Sequence, residues 1–514
     1  MLFRKVTEEK LDLIAAYGLW VLCGTLSLIL ISFTRATLGS GDTIEHYLIA
    51  RYAFEMPSLL LDHWGKPLFT ACSAPFAIWG FKGIQLFQVI NVALTVRLTI
   101  QVARYLKLKF LFMVPLIMYG ATEYFQSQIS GLTELFFALL LSLSFYLWFK
   151  NYLVASLVVT SFLPFARSEG MLMIVLWTAF LIINKNWKYV PYLATGNVFY
   201  GLLGAIFKNN LFWYFTENPY AIHNPNYGSG KWYHYLLGLL NALGVPNYIF
   251  LWLGILWLLI ALFHKPYLEK FRYKSFIYFI ILGIFVGFIT AHTIIWVTNI
   301  HVSFGLLRVF NAIMPCLAII GLIGINGLYL ILSEIKLRSP FAIAIKVKEL
   351  SRGKIKIGFS ILLAALVVGF FFSDSPYAPK IAKLLYPARV QIAARETMNF
   401  WNNHCPDSLK TRVHFCYDDP QIGLYLSEYI PSFNPFQPNW RGTTWHIKNH
   451  QLPRREGYYI WDAWFSVVEG NLSYEEVIRR QDLELLYISP YKDKAIHPIA
   501  PLFLLFKLKK EPLQ

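Results

Sequence analysis

Four carboxylates fall within residues 39–67, directly after the first long apolar segment, and they are the first candidates for chemistry: Asp42, Glu45, Glu55 and Asp62. If residues 42–55 are helical, Asp42, Glu45 and His46 share one face, because side chains three and four positions apart are neighbours on a helix. Such a cluster can deprotonate a hydroxyl or bind a divalent cation. The same pattern also fits a hydrated loop whose aspartate caps a helix.

Two further segments combine charge with apolar surroundings. Glu134 stands where a polar stretch, 123–134, gives way to an apolar helix. It is a candidate cavity acid, and it is equally well placed to stabilise a helix N-terminus. Arg167 and Glu169 lie between two apolar segments. They either pair with neighbouring charges or bind a phosphate and orient a base, and charged groups between membrane helices favour the second interpretation.

Two later segments add basic groups. Residues 208–246 form a long loop rich in aromatic residues, glycine and proline, with Lys231 at the end of a GSGK sequence. The full phosphate-loop spacing is absent, so this is not a nucleotide site, but its aromatic residues suit a sugar or a lipid headgroup. His301 precedes Arg308, which begins a helix. Arg308 is a candidate phosphate clamp, or it extends towards the membrane interface.

The elements that carry these residues are predicted to be membrane helices. Of the 514 residues, 56% are hydrophobic and 15% are charged, and the mean hydropathy is +0.48. Long uncharged apolar segments identify a polytopic membrane protein. They predict about eleven helices, at about 11–34, 83–105, 109–121, 132–149, 152–166, 170–184, 189–207, 247–263, 276–297, 309–332 and 357–373.

Charge predicts how this protein lies in the membrane. Basic residues concentrate in one set of alternate loops, most densely between residues 336 and 356, which places the N-terminus in the cytoplasm. The candidate acids fall on the other side. The net charge of +17 is therefore a topology signal, and we expect membrane lipids as partners and no nucleic acid. A bacterial cytoplasmic (inner) membrane is the expected location.

Residues 374–514 break the membrane pattern and predict a second, extracytoplasmic domain after a membrane domain at 1–373. Short apolar segments predict strands at 412–417, 457–461, 483–489 and 502–508, alternating with helices at about 387–403, 420–428 and 473–481, which is typical of a small α/β domain. Cys405 and Cys416 are candidates for a disulfide in this compartment. Residues 461–470 pair aromatic residues with Asp462 and Glu469, as sugar sites do and as a folded edge turn also does.

As a set, these features resemble the GT-C superfamily of polytopic membrane glycosyltransferases, especially the bacterial branch similar to protein O-mannosyltransferases and the aminoarabinose transferase of lipid A. The resemblance covers nearly the whole chain. It rests on the acidic segment 41–47, HWGKP at 63–67, TE at 133–134, RSEG at 167–170, YGSGKWYHY at 227–235, GLLR at 305–308 and the C-terminal domain. Many members have two adjacent acids in the first loop, whereas Asp42 and Glu45 are separated by two residues here.

The resemblance implies a GT-C fold and the transfer of a mannose-like hexose or a pentose from a polyprenyl-phosphate donor to an acceptor hydroxyl on a glycan, lipid or protein, with inversion. Asp42 is then the base, with Glu45 beside it. Arg308, together with His301 or Lys66, stabilises the departing phosphate. His46, Glu134, Arg167, Glu169 and Lys231 orient the base or bind substrate. No cofactor is required, although some relatives use a divalent cation, for which Asp42 and Glu45 are the candidate ligands.

Two other functional classes remain open from the sequence. The first is a transporter or flippase for a lipid-linked or anionic substrate, against which stand the absence of an internal repeat and the position of the acids outside the midplane. The second is a non-catalytic scaffold or sensor, which accounts for the C-terminal domain but not for the acids of the first loop.

Overall fold

The computed structural model describes residues 8–39, 41–219, 227–264, 268–269, 273–300, 303–338, 345–410, 413–437, 441–451 and 457–509. Within these ranges the chain is mainly helical up to residue 371, and a small mixed domain follows. The boundary predicted at 374 falls between the helix Ile345–Phe371 and the short helix Ile381–Leu385.

Six helices in the described ranges are long and apolar enough to cross a membrane, and the protein is an integral membrane protein. They are Glu8–Phe33, Phe81–Tyr105, Trp187–Lys208, Val245–Phe263, Lys274–Thr298 and Leu307–Ser333. A seventh crossing is possible at Thr122–Ile129 and Glu134–Phe149, which meet at an angle of 114°. Shorter apolar helices occupy Leu153–Ala166, Gly170–Ile183, His234–Leu243 and Lys356–Phe371.

The polytopic helical fold predicted from the sequence is confirmed, but the number of full-length spans differs from about eleven. The apolar segment at 132–149 is one arm of the bent pair. The segments at 152–166, 170–184 and 357–373 are helices of 10–17 residues, and 109–121 contains the eight-residue helix Met113–Gly120. Hydropathy locates apolar segments. It does not show where a helix bends, or that a helix has fewer than the 18 residues of a full span.

Short helices that connect the longer ones lie at Asp42–Tyr52, Pro57–Leu61, Pro67–Ala77 and Trp213–Thr216. Two of the spans begin with a 3₁₀-helical segment, since Trp187–Ala194 leads into Thr195–Lys208 and Leu307–Ile313 leads into Met314–Arg338. The apolar helix Leu153–Ala166 consists of Leu153–Ser161 and Leu163–Ala166.

The helix Phe81–Tyr105 joins two loops that matter for the site. The buried amide of Gln85 donates to the carbonyl oxygens of Ala36 at 3.0 Å and Ile129 at 2.9 Å. One side chain thus fixes the segment before Asp42 to the bend before Glu134. A polar side chain in a membrane helix needs such partners, because an unpaired buried amide is costly.

The C-terminal domain contains one five-stranded mixed sheet in the order β2-β1-β3-β5-β4. The strands are β1 (His414–Cys416), β2 (Arg441–Gly442), β3 (Gly457–Asp462), β4 (Leu483–Ile488) and β5 (Phe503–Leu508). β1 pairs in parallel with β2 and β3, while β5 is antiparallel to β3 and β4. Helices surround the sheet at Arg389–His404, Asp407–Lys410, Pro420–Tyr429, Thr444–Lys448, Phe465–Val468 and Tyr474–Val477.

The disulfide considered between Cys405 and Cys416 does not form. Successive residues of a strand point to opposite faces of a sheet. Phe415 therefore packs with Cys405 in the cluster under the helix Arg389–His404, while Cys416 packs with Tyr459 and Trp461 on the other face. The sheet separates the two sulfur atoms, which the sequence spacing did not reveal.

Candidate active site

The helix that begins at Asp42, the bend before Glu134 and the segment that contains Arg308 meet at one point. There Arg308 links Asp42 to Glu134. The Arg308 guanidinium is ion-paired and hydrogen-bonded to Asp42 through Nη2, and its Nε atom lies 3.5 Å from Glu134 Oε1. Glu134 is 2% exposed, whereas Asp42 is 30% exposed. Asp42 is thus the accessible end of the arrangement and Glu134 is its buried anchor.

The same arrangement continues from Glu134 into the segment 167–169. Arg167 Nη1 lies 2.8 Å from Glu134 Oε1, Arg167 Nη2 lies 2.6 Å from Glu169 Oε1, and His292 Nε2 lies 3.6 Å from the same Glu169 oxygen. We call Asp42, Arg308, Glu134, Arg167, Glu169 and His292 the ion-pair network. Charges alternate along it from Asp42 to Glu169, so each of these groups has an opposite charge beside it, as burial requires.

Electrostatics keep both terminal carboxylates of the network ionised. Burial alone would raise the pKa of Asp42, but Arg308, His46 and Arg167 outweigh it and hold that pKa below its usual range. For Glu169, burial is likewise outweighed by Arg167 and His292, and the pKa falls to about 2. Asp42 therefore presents a fixed negative charge to a substrate at neutral pH.

Glu45 lies in a different environment, against the C-terminal domain. Its Oε1 atom is 3.9 Å from Arg441 Nη1, and the Arg441 guanidinium stacks 4.7 Å from the ring centre of Tyr417. Burial, followed by the charges of Asp62 and Asp42, raises the pKa of Glu45, although Arg441 opposes this. Among the described residues, Glu45 Oε2 has no hydrogen-bond partner. Asp42 and Glu45 share a helix but differ in their ease of protonation.

The helix Asp42–Tyr52 is held against the bend by three close contacts. The Nδ1 atom of His46 lies 3.2 Å from the carbonyl oxygen of Gly131, and the amide of Gly131 donates to Thr43 Oγ1 at 3.0 Å. A Cβ atom at Gly131 would lie 2.1 Å from the Thr43 carbonyl oxygen, so only glycine fits. Burial lowers the pKa of His46, although the charges of Asp42 and Glu134 oppose this. Because a carbonyl oxygen can only accept, His46 donates from Nδ1.

Lys66 is buried close to Ser168, with Nζ 3.5 Å from Ser168 Oγ. It begins the turn into the helix Pro67–Ala77 with a positive φ of 61°, a conformation that is uncommon for a lysine. Burial lowers the pKa of Lys66 to about 7, while Glu169 and Asp42 partly offset the effect. A buried ammonium of this kind gains most from an anion, since an anion restores the charged form.

Of the other two basic residues predicted for the site, Lys231 is not a member of the network. Lys231 is exposed, and its Nζ lies 5.6 Å from the ring centre of Tyr233. His301 lies outside the described residues. Its neighbour Arg308 is described, and it is the basic group of this segment that reaches the acids.

The acids do not form a metal site in this arrangement. Within the described parts of the chain, no group of three or more His, Cys, Asp or Glu side chains is placed to hold a metal ion. Asp42 and Glu45, the candidate ligands, each face an arginine instead. A guanidinium and a cation repel each other when they share one carboxylate oxygen, so these two ion-paired carboxylates are poorly placed to bind a cation.

This chain is similar to known proteins in its structure and not in its sequence. No protein-family model matches the sequence, and no curated protein matches it either. A crystal structure of ArnT from Cupriavidus metallidurans bound to undecaprenyl phosphate is similar over 96% of this chain and 98% of that chain, with a TM-score of 0.60 and 10% identity. The same protein in the apo state gives a TM-score of 0.60 at 11% identity.

An archaeal protein is also similar. The crystal structure of the Archaeoglobus fulgidus oligosaccharyltransferase, tethered with an acceptor peptide, covers 97% of this chain and 74% of that chain, with a TM-score of 0.53 and 11% identity. The chain has the GT-C fold. The fold predicted from the sequence is thereby confirmed over nearly the whole chain, and at these identities the likeness concerns the fold alone.

Two residues that contact the candidate acids were not predicted from the sequence. His292 lies inside an apolar segment predicted as a helix at 276–297, and a histidine in a membrane helix was the available signal. Arg441 lies on the two-residue strand β2, between segments with no pattern of their own. Only the folded C-terminal domain brings it to Glu45.

Proposed function

We propose that this protein is an inverting glycosyltransferase that moves a sugar from a polyprenyl-phosphate donor to an acceptor hydroxyl. The observation that carries the proposal is the Asp42–Arg308 pair, at the accessible end of a buried ion-pair network in a GT-C fold. The pair places a carboxylate, which can act as the base, beside a guanidinium, which can stabilise the leaving phosphate.

The donor is assigned on its chemistry and on the fold. A lipid-linked sugar reaches the site from the membrane, and His292 of the network belongs to the helix Lys274–Thr298, which is long and apolar enough to span it. The similar ArnT structure is bound to undecaprenyl phosphate. We therefore propose a polyprenyl phosphate as the carrier. The proposed sugar, a mannose-like hexose or a pentose, rests on the family resemblance of the sequence.

Asp42 acts as the base in this proposal. It accepts the proton of the acceptor hydroxyl as that oxygen attacks the anomeric carbon from the face opposite the phosphate. The bond between the anomeric carbon and the phosphate oxygen breaks, and the electron pair leaves with polyprenyl phosphate. Because the carboxylate is held by Arg308, its position is set before the substrate arrives. Glu45 is the second acid of the site and the alternative base.

The leaving phosphate needs positive charge, which Lys66 and Arg308 supply. Lys66 lies beside Ser168, and binding of a phosphate returns its amine to the ammonium form. Arg308 lies between the base and Glu134. Preplaced charges of this kind stabilise the charge that develops on the phosphate without reorganisation. Glu134, Arg167, Glu169 and His46 position these groups, and His301 and Lys231 complete the set as additional donor-binding residues.

The proposal also gives the protein an orientation. The basic loops predict a cytoplasmic N-terminus, so the network and the domain at 374–514 face the outside of a bacterial inner membrane. The proposed acceptor on this side of the membrane is a hydroxyl of a glycan, lipid or protein.

The test is transfer by purified protein in nanodiscs supplied with a panel of polyprenyl-phosphate sugars. Wild type is compared with Asp42→Asn, and release of polyprenyl phosphate is measured. We expect turnover by wild type with at least one donor and its loss in Asp42→Asn. Glu55→Gln is the matched control, since Glu55 lies in the same segment but pairs with Arg51 at the surface.

Other outcomes have distinct meanings. Equal turnover by wild type and Asp42→Asn keeps the enzyme class and moves the base to Glu45. No turnover of any donor, with lipid-linked sugar crossing liposome bilayers instead, overturns the transferase and favours a flippase. Loss of turnover in Glu55→Gln as well shows that the loop tolerates no change, and the assignment of Asp42 is then withdrawn.

A further inference from the structure

A row of aromatic rings joins the membrane part to the C-terminal domain next to Asp42. The Tyr227 and Phe304 rings lie 4.0 Å apart, and Phe304 lies 5.5 Å from Trp464 of the C-terminal domain. All three side chains are half-buried. The next ring, Phe465, packs against Gly41, where a Cβ atom would lie 3.4 Å from Phe465 Cζ. The row therefore ends beside the residue that precedes the proposed base.

Carboxylates border this row of rings. The Tyr227 hydroxyl donates to Glu469 Oε1 at 3.1 Å, which ties the loop of one domain to the turn of the other. Partial burial and the charges of Asp418, Asp42 and Glu45 raise the pKa of Glu469, against the Tyr227 hydrogen bond. Among the described residues, these four carboxylates form ion pairs with two arginines: Asp42 with Arg308, and Glu45 with Arg441.

The turn that carries Trp464 is held in place by hydrogen bonds to Asp462. Asp462 accepts hydrogen bonds from the amides of Trp464 at 3.0 Å and Ser466 at 3.1 Å, and from the Ser466 hydroxyl at 2.9 Å. Of the two acids that the sequence placed beside aromatic residues here, Asp462 therefore serves the fold. Glu469 faces the membrane part and is available to a ligand on its exposed side.

We propose that Tyr227, Phe304, Trp464 and Glu469 form the acceptor subsite and that the acceptor hydroxyl belongs to a neutral carbohydrate. This inference rests on the proposed transferase function. The C–H face of a sugar ring stacks on an aromatic face, whose π-electrons are negative. Carboxylates accept hydrogen bonds from sugar hydroxyls, and charge-assisted bonds of this kind are strong.

The negative charge of the carboxylates beside the row of rings disfavours a phosphorylated acceptor. A phosphate group brought to this row of rings would approach the carboxylates of Asp42 and Glu469, and like charges repel across an interface. Arg308 is already shared by Asp42 and Glu134, and Arg441 lies beside Glu45. A neutral sugar meets no such repulsion, and its hydroxyl is delivered at the accessible side of Asp42.

The experiment measures binding without a donor, so that it does not depend on turnover. Wild type in nanodiscs is titrated with neutral oligosaccharides prepared from glucan, mannan and N-acetylhexosamine polymers, with their 6-phosphorylated forms and with serine- and threonine-containing peptides. Binding is followed by saturation-transfer NMR. We expect at least one neutral oligosaccharide to bind, and its phosphorylated form to bind more weakly.

Variants locate the binding. We expect Trp464→Ala and Tyr227→Ala, which remove rings from different domains, each to weaken binding about tenfold. Trp445→Ala is the control, because Trp445 is 53% exposed in the same domain and is not part of the row. Apparent Tm is recorded for each variant, and Trp464→Phe replaces Trp464→Ala if the alanine variant unfolds.

Three results would overturn the subsite: no neutral oligosaccharide binds, a phosphorylated sugar or a peptide binds better, or the two ring variants bind as wild type does. Failure of the transferase proposal is seen separately. In that case polyprenyl phosphate is released from no donor, while oligosaccharide binding and its loss in Trp464→Ala persist.

Discussion

Glu134 and Arg167 form an ion pair of 2.8 Å in a place where the glutamate is 2% exposed and the arginine 15% exposed. Glu134 also lies 3.5 Å from Arg308, so one buried carboxylate serves two guanidinium groups. The position of Arg308, and through it that of Asp42, therefore depends on a residue that is itself too buried to meet a substrate.

The first prediction concerns that carboxylate. Glu134→Gln removes the negative charge but keeps the shape, and it leaves two arginines without their shared counter-charge. Loss of one partner from a buried ion pair costs about 3 kcal/mol or more. We expect a lower apparent Tm and the loss of transferase activity, measured by thermal unfolding in detergent and by donor turnover.

The control for Glu134→Gln is the same substitution at Glu9. Glu9 pairs with Arg104 at 3.6 Å, but it is 72% exposed. An exposed pair contributes roughly 0–1 kcal/mol, so Glu9→Gln should leave the Tm almost unchanged. Equal Tm values for the two variants would show that Glu134 is not an anchor of the site.

The second prediction concerns the contact between the bend and the helix Asp42–Tyr52. Gly131→Ala places a methyl group 2.1 Å from a backbone oxygen, so that helix must move away from Glu134. We expect reduced turnover together with a lower Tm. Gly18→Ala is the control, since no heavy atom lies within 4 Å of its added Cβ. Full activity of Gly131→Ala would contradict the close packing described here.

The third prediction is a pH dependence carried by Lys66. Its pKa in the free protein is lowered to about 7, so the ammonium form that binds phosphate is present below this pH and is lost above it. We expect kcat/KM for the donor to fall about tenfold per pH unit above that value. Arginine stays charged, so Lys66→Arg should lack this fall, whatever its maximal rate. A fall that persists unchanged in Lys66→Arg would assign the titration to another group.

The fourth prediction concerns the cysteines. All five are described as thiols, and the sheet separates Cys405 from Cys416. Protein unfolded in detergent and alkylated should gain five alkyl groups by mass, with or without prior reduction. A gain of only three alkyl groups without reductant would show that two cysteines form a disulfide. If these are Cys405 and Cys416, the assignment of β1, which places them on opposite faces of the sheet, would be wrong.

Much of the architecture was predictable because its signals are local. The four predicted strands correspond to β1, β3, β4 and β5, and the helices predicted at about 387–403 and 420–428 correspond to Arg389–His404 and Pro420–Tyr429. Alternation and turn residues carry that information within a few positions. β2, with two residues, is too short to leave such a pattern.

The site was predictable as a set of residues but not as an arrangement. Asp42, Glu134, Arg167, Glu169 and Arg308 each carried a functional and a structural interpretation. The structural interpretation was an ion pair only for Arg167 and Glu169, whereas all five are ion-paired in the structure. That a base and a binding site also arise there is our proposal. His292 and Arg441 depend on contacts between segments far apart in sequence, which no local pattern contains.

The place of β5 in the sheet has a consequence for biosynthesis. β5 lies between β3 and β4, yet it is the last of the five strands in the chain. The sheet cannot close until residue 508 has been synthesised, long after the helices that precede residue 371 have been made. Since Arg441, Trp464 and Glu469 belong to this domain, a nascent chain already contains the proposed base well before it contains the surface that would receive an acceptor.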